Sequence, residues 1–220
     1  MSEQSNILWD LPTRLFHWSL VAGITTCWVT GSLLSNAMPI HVLAGYFTLS
    51  LLLFRLLWGF GGSETSRFSH FLRGPLEVMQ YAKTLLVRDT RQHAGHNPVG
   101  GWSVLLLLAS SVAVAVTGLF ANDEVDTRGP LADRVGDDLS DRFTDWHHQS
   151  FDILAILIGL HLFAILFYRF YKKADLVTPM ITGKLENCQD CNTRQASVMR
   201  AALFYGVCVA AIVGMVQSAH

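Results

Sequence analysis

The sequence predicts an all-α, polytopic membrane protein: a four-helix bundle with a fifth spanning helix at the C-terminal end. Of its 220 residues 51% are hydrophobic and only 15% charged, against about a quarter charged in a typical soluble domain. The charges are also segregated. No Asp, Glu, Lys or Arg lies between Arg14 and Arg55, between Arg91 and Asp123, within residues 153–168 or within residues 201–220. A spanning helix needs about 20 mainly apolar residues, and these stretches supply spans near 15–34, 40–60, 101–120, 150–170 and 200–217.

The first span is expected to be retained. The ten residues at its N-terminal side carry Glu3 and Asp10 and no basic cluster, and the apolar run is too long for the core of a signal peptide. An uncharged turn, 35–39, leads to the second span. The 61–99 connection holds Arg67, Arg73, Lys83, Arg88 and Arg91. After Gly74-Pro75 its Leu76, Met79, Tyr81, Ala82, Leu85 and Leu86 make a loosely amphipathic stretch, read as a surface helix at the membrane interface. The 121–149 connection has Arg128, Arg134 and Arg142 but eight acids, Asp123, Glu124, Asp126, Asp133, Asp137, Asp138, Asp141 and Asp145. The 169–199 connection is basic again, with Arg169, Lys172, Lys173, Lys184 and Arg194. Basic loops stay on the cytoplasmic side, so the N-terminus and both basic connections are expected there, with 35–39, 121–149 and His220 opposite. Trp9, Trp18, Trp28, Trp58, Trp102 and Trp146 fall mostly near segment ends, as an interfacial belt does.

The histidines carry the chemistry. His147 and His161 are 14 residues apart on one apolar run, which on a helix leaves their side chains about 40° apart in angle and about 21 Å apart in height. One helix can thus offer a ligand at each of two depths. His17, one turn inside the first span, matches the depth of His161; His41, opening the second, matches His147. That match is independent of the topology, which was set by Lys and Arg alone. A lone histidine in a span is ordinarily an interhelical hydrogen-bond partner, but four on three spans at two shared depths call for a ligand. Paired imidazoles between facing helices suit haem iron, whereas zinc wants more ligands per site. His148 sits 13 residues before His161, about 140° off its direction, and is the poorer candidate.

Haem also needs room and counter-charge. Gly45, Gly118 and Gly159 are places where a porphyrin could approach backbone, or where helices simply pack closely. Arg14 and Arg55 each close a long uncharged stretch on the cytoplasmic side, as propionate partners or as snorkelling anchors. Cys27 and Cys208 read as small apolar residues. Cys188 and Cys191 form CQDC with no following His, so covalent haem attachment is not indicated. His70, His93 and His96 are loop histidines, available for quinone protonation at the interface or merely solvated.

The chain resembles the bacterial cytochrome b561 and hydrogenase-type cytochrome b family. The matching pieces run in family order over residues 8–184: WDLPTRLFHW, HVLAGYFTLSLLLFRLLWGF, GHNPVGGW, VTGLF, WHHQSFDILAILIGLH and PMITGK. The resemblance implies four helices around two non-covalent b haems, His17 with His161 and His41 with His147 as axial ligands, and a place in the bacterial inner membrane. It divides the chain into a dihaem domain, 1–184, and a CxxC linker with a C-terminal spanning helix, 185–220. Family members pass electrons between quinone and a redox partner such as a c-type cytochrome or a hydrogenase. The leading expectation is therefore an electron-transfer subunit linking the quinone pool to a periplasmic redox protein that docks near the acidic 121–149 loop. The rival is a stand-alone superoxide:quinone oxidoreductase, against which the acidic loop counts because it would repel superoxide. A haem-free transporter would show broken helices and inverted repeats, which are not apparent. No nucleic-acid partner is expected.

Overall fold

The computed structural model describes residues 7–87, 95–123, 125, 127–185 and 193–219. Glu3, Arg88, Arg91, His93, Glu124, Asp126, Cys188, Cys191 and His220 lie outside the described residues. Each expected span is a helix: α1 (Leu11–Ser32), α2 (Met38–Gly61), then short α3 (Phe68–Phe71) and α4 (Pro75–Thr84), α5 (Pro98–Gly118), α6 (Asp137–Phe167), α7 (Val177–Thr182) and α8 (Val198–Ala219). No strand forms among the described residues, only isolated bridges at Ile7–Lys184 and Asn122–Arg128.

Local chemistry sets the helix starts. Asp10 caps α1 by accepting from the Thr13 N–H at 2.7 Å, with Pro12 in the first turn. Asn97 does the same for α5 through the Gly100 N–H at 2.7 Å, with Pro98 at the first position. Both fill an otherwise orphaned donor, and proline there costs none. α4 matches the expected surface helix, with Leu76 and Met79 largely exposed.

Two boundaries differ from expectation. α6 begins at Asp137, not near 150, after Gly136 in the left-handed region (φ 78°). The acidic residues Asp137, Asp138, Asp141 and Asp145 are thus helical, and His147 lies in a helix already under way. Apolar patterning detects only the part of a helix that must leave water. Its other end continues as a π-helical turn, Tyr168–Lys172, and stops at Lys173 (φ 56°). The other difference is α1. Helices α2, α5, α6 with its π-turn, and α8 are long and apolar enough to cross a membrane. α1 has the length, 22 residues or about 33 Å, but carries Arg14, His17 and four threonines.

Packing forms two hairpins. α1 lies along α2 and α5 along α6, while the hairpins meet along an α2–α5 seam without close packing of α1 on α6. α8 lies on α2 and joins the same core: Phe54 stacks on Trp58 at 5.6 Å, and Phe204 and Tyr205 meet those rings edge-on. Trp58 is fully buried and Trp9 nearly so, which removes both from the expected interfacial belt; Trp18, Trp28, Trp102 and Trp146 keep the exposure that role needs. α6 turns Ile153, Ile156, Leu160, Phe163 and Leu166 outward, as a lipid-facing helix does. The bundle has a basic end, carrying residue 7 and the described parts of the two basic connections, 62–87, 95–97, 173–185 and 193–197, and an acidic end.

Candidate functional site

At the acidic end His41 lies on the first turn of α2 and His147 in the third turn of α6. Their ring centroids are 6.1 Å apart, with planes at 79°. The His41 Nδ1 lies 2.9 Å from the carbonyl oxygen of Cys27, and the His147 Nδ1 lies 2.8 Å from that of Val114. A carbonyl only accepts, so each Nδ1 carries the proton and each Nε2 keeps its lone pair. The orienting carbonyl in each case comes from the other helix of the same hairpin.

Glycines admit the rings. A Cβ at Gly31 would lie 2.8 Å from the His41 Nδ1, and one at Gly118 would lie 2.9 Å from the His147 Cε1. Gly118 therefore makes room for an imidazole, not for porphyrin directly. Both histidines line a cavity of about 390 Å³, whose walls also include Cys27, Gly45, Tyr46, Ala115 and Leu154. A Cβ at Gly45 or at Gly159 would meet nothing within 4 Å. His148 is exposed, with its ring centroid 6.1 Å from that of His147.

At the basic end His17 and His161 are both partly buried, and His17 lies within charge–charge range of His161. The His17 Nδ1 is sealed from solvent and has no hydrogen-bond partner. Arg14 donates from Nη1 to the Ile181 carbonyl at 2.5 Å, while its Nε is buried and unpartnered. Arg55 is 4% exposed, with its Nη1 unpartnered and its guanidinium carbon 4.9 Å from the centroid of Phe68. Asp10 sits nearby, but its oxygens are engaged by the Thr13 N–H and by the Trp58 indole N–H at 3.1 Å.

The family model for prokaryotic cytochrome b561 matches residues 8–183. The chain belongs to this family. It is a multi-pass membrane b-type cytochrome, an electron-transfer protein whose cofactor is b-type haem. The chain is similar to the probable Ni/Fe-hydrogenase B-type cytochrome subunit of Rhizobium leguminosarum bv. viciae, 22% identical over 84% of this chain and 90% of that one. The corresponding subunit of Azotobacter vinelandii is 22% identical over 80% and 86%. No solved structure matches the chain.

The residues of this cytochrome b561 fit haem. Two metal–imidazole bonds of about 2.0–2.1 Å each, plus the depth of each ring, put paired centroids roughly 6 Å apart, which is the spacing of His41 and His147. No group of three or more His, Cys, Asp or Glu side chains converges among the described residues. A two-ligand set suits an iron whose remaining positions porphyrin fills, not a structural zinc. At the basic end, where His17 and His161 lie, the His17 Nδ1, the Arg14 Nε and the Arg55 Nη1 are buried without partners. Three contributors escaped the sequence reading: the Cys27 and Val114 carbonyls, which carry no residue-type signal, and Gly31, which lies one helix away from the histidine it admits. Asp10, read in the sequence only as a charge before the first span, is both the cap of α1 and the partner of Trp58.

Proposed function

We propose that this cytochrome b561 is an inner-membrane dihaem protein with its basic end in the cytoplasm, relaying electrons between the quinone pool and a periplasmic redox partner such as a c-type cytochrome. His41 and His147 would hold the outer haem, His17 and His161 the inner one, with Arg14 and Arg55 facing the inner carboxylates. The observation that carries this reading is the His41–His147 pair, 6.1 Å apart with each Nδ1 on a carbonyl. Bound haem supplies a one-electron iron couple. The protein does the rest: the carbonyls of Cys27 and Val114 fix ring orientation and tautomer and raise ligand basicity. The packed hairpins exclude water from the iron, and the outward apolar face of α6 keeps the site within lipid. The names of the relatives add a hydrogenase assembly as a candidate partner.

The outer partner would meet the acidic end. Arg128 there is tied to Asp133 and Asp137, and Asp141 accepts from Asn122 at 2.8 Å, so the acids are arranged in a structured surface, one that attracts a basic protein and repels superoxide. The deciding experiment is a reduced-minus-oxidised spectrum with haem counted per chain. It takes the wild type and the alanine variants of His17, His41, His147, His148 and His161. Two low-spin b haems, perturbed by every change except that at His148, are expected. A wild type with no stoichiometric haem refutes the reading.

A further inference from the structure

Four separate stretches of sequence converge at the basic end on a cluster that the histidine pairs leave unused. WDLPTR supplies Trp9 and Asp10, α2 supplies Arg55 and Trp58, α3 supplies Phe68 and Phe71, and the GHNP turn before α5 supplies His96. The His96 ring lies between two aromatics, 4.7 Å from the Trp9 centroid and 4.9 Å from that of Phe71. The Arg55 guanidinium carbon lies 6.0 Å from the same Phe71 ring. The sequence left His96 as a loop histidine, available for quinone protonation or merely solvated, and therefore reachable from solvent. Instead its Nδ1 is closed off from solvent without a partner, as is the Nη1 of Arg55.

Two unpaired buried nitrogens on groups that flank the same Phe71 ring, one of them on a cation, mark a place for an anion. A buried charge without a hydrogen-bonded counter-charge is costly. Asp10 lies within charge range of Arg55, but among the described residues no hydrogen bond joins its carboxylate to the guanidinium; its oxygens accept instead from the Thr13 N–H and the Trp58 indole N–H. Burial, together with the charges of Arg55, His161 and His70, pushes the His96 imidazole well below the usual histidine range. A neutral ring offers one N–H donor and one acceptor. His96 lies within charge–charge range of His161, at the same end of the bundle as His17.

We propose that Arg55 and His96 together bind one carboxylate of the inner haem, Arg55 supplying the charge and His96 an N–H donor. The proposal rests on the reading of His17 and His161 as ligands of that haem. It gives the GHNP turn a role: to bring His96 in across α3, so that the haem is gripped by the segment before α5 as well as by α1, α2 and α6. A quinone carbonyl is the competing ligand; it is uncharged and adds nothing to the counter-charge that Asp10 alone sets near Arg55.

The test uses the full-length protein in lipid nanodiscs, with His96→Phe and His96→Leu as donor-less variants and His96→Gln as a donor-retaining one. Phenylalanine keeps the aromatic sandwich, so one of the two donor-less forms is available even if the other fails to assemble. The readouts are the haem propionate bending bands in resonance Raman and the two haem midpoint potentials by redox titration. Losing the donor leaves the carboxylate charge less compensated, so the inner-haem propionate band shifts and its midpoint falls, while the outer haem is unchanged. Glutamine returns both toward wild type. Donor-less variants indistinguishable from wild type, or a glutamine variant as altered as they are, overturn the proposal, as does a raised KM for quinol with unaltered bands. A wild type carrying fewer than two haems overturns the parent reading as well, which separates the two failures.

Discussion

Replacing Gly118 with alanine isolates the role of ring orientation at the outer site. The new Cβ would lie 2.9 Å from the His147 Cε1 and 3.1 Å from its Nδ1, against about 3.5–4.0 Å for carbon atoms at rest. The ring must retreat by about 0.6–1.1 Å. Its Nδ1 is now 2.8 Å from the Val114 carbonyl, and moving away by that amount carries it past the roughly 3.2 Å limit of a good N–H···O bond. The lost hydrogen bond costs about 0.5–1.5 kcal/mol and an off-rotamer ring about 0.5–1.5 kcal/mol. Together, about 1–3 kcal/mol weakens the outer ligation by roughly 5- to 140-fold, at tenfold per 1.4 kcal/mol. The helix itself cannot be blamed, since alanine is favoured over glycine by about 1 kcal/mol. The assay is the rate of haem transfer to excess apomyoglobin, with the low-spin EPR signals of the two haems followed separately. Outer haem is expected to leave faster and its signal to shift, with the inner haem unchanged. Unaltered release and unaltered signals would show that the His147–Val114 contact does not set the ligand.

Two further outcomes follow from the same geometry. Gly45→Ala places a methyl where nothing lies within 4 Å, so the fold should tolerate it while outer-haem content drops; full retention of haem would mean that the cavity beside Gly45 is not where porphyrin lies. Neutralising Asp137, Asp138 and Asp141 to asparagine should slow electron exchange with a basic c-type cytochrome and flatten its dependence on ionic strength, with haem content unchanged. A rate that is already insensitive to salt in the wild type would remove the acidic end as the docking surface.

The sequence by itself determined the class of the protein and the identity of the histidines to examine. Long uncharged runs can be satisfied only as helices in lipid, and the spacing of His147 and His161 follows from helical pitch alone. Both are local properties, so they are legible without a structure. The acidic start of α6 escaped because water tolerates a helix as readily as a loop, and apolar patterning is silent there. Tertiary structure alone decided what orients the rings, since the Cys27 and Val114 carbonyls are backbone groups that every residue type possesses. It also decided that Trp9 and Trp58 are internal, and that Gly118 admits His147. His96 shows the same limit most clearly. Its position in a polar connection suggested a ring open to quinone or to water, and only the folding of α3 and the N-terminal segment over it closed off its Nδ1, because burial is a property of neighbours distant in sequence.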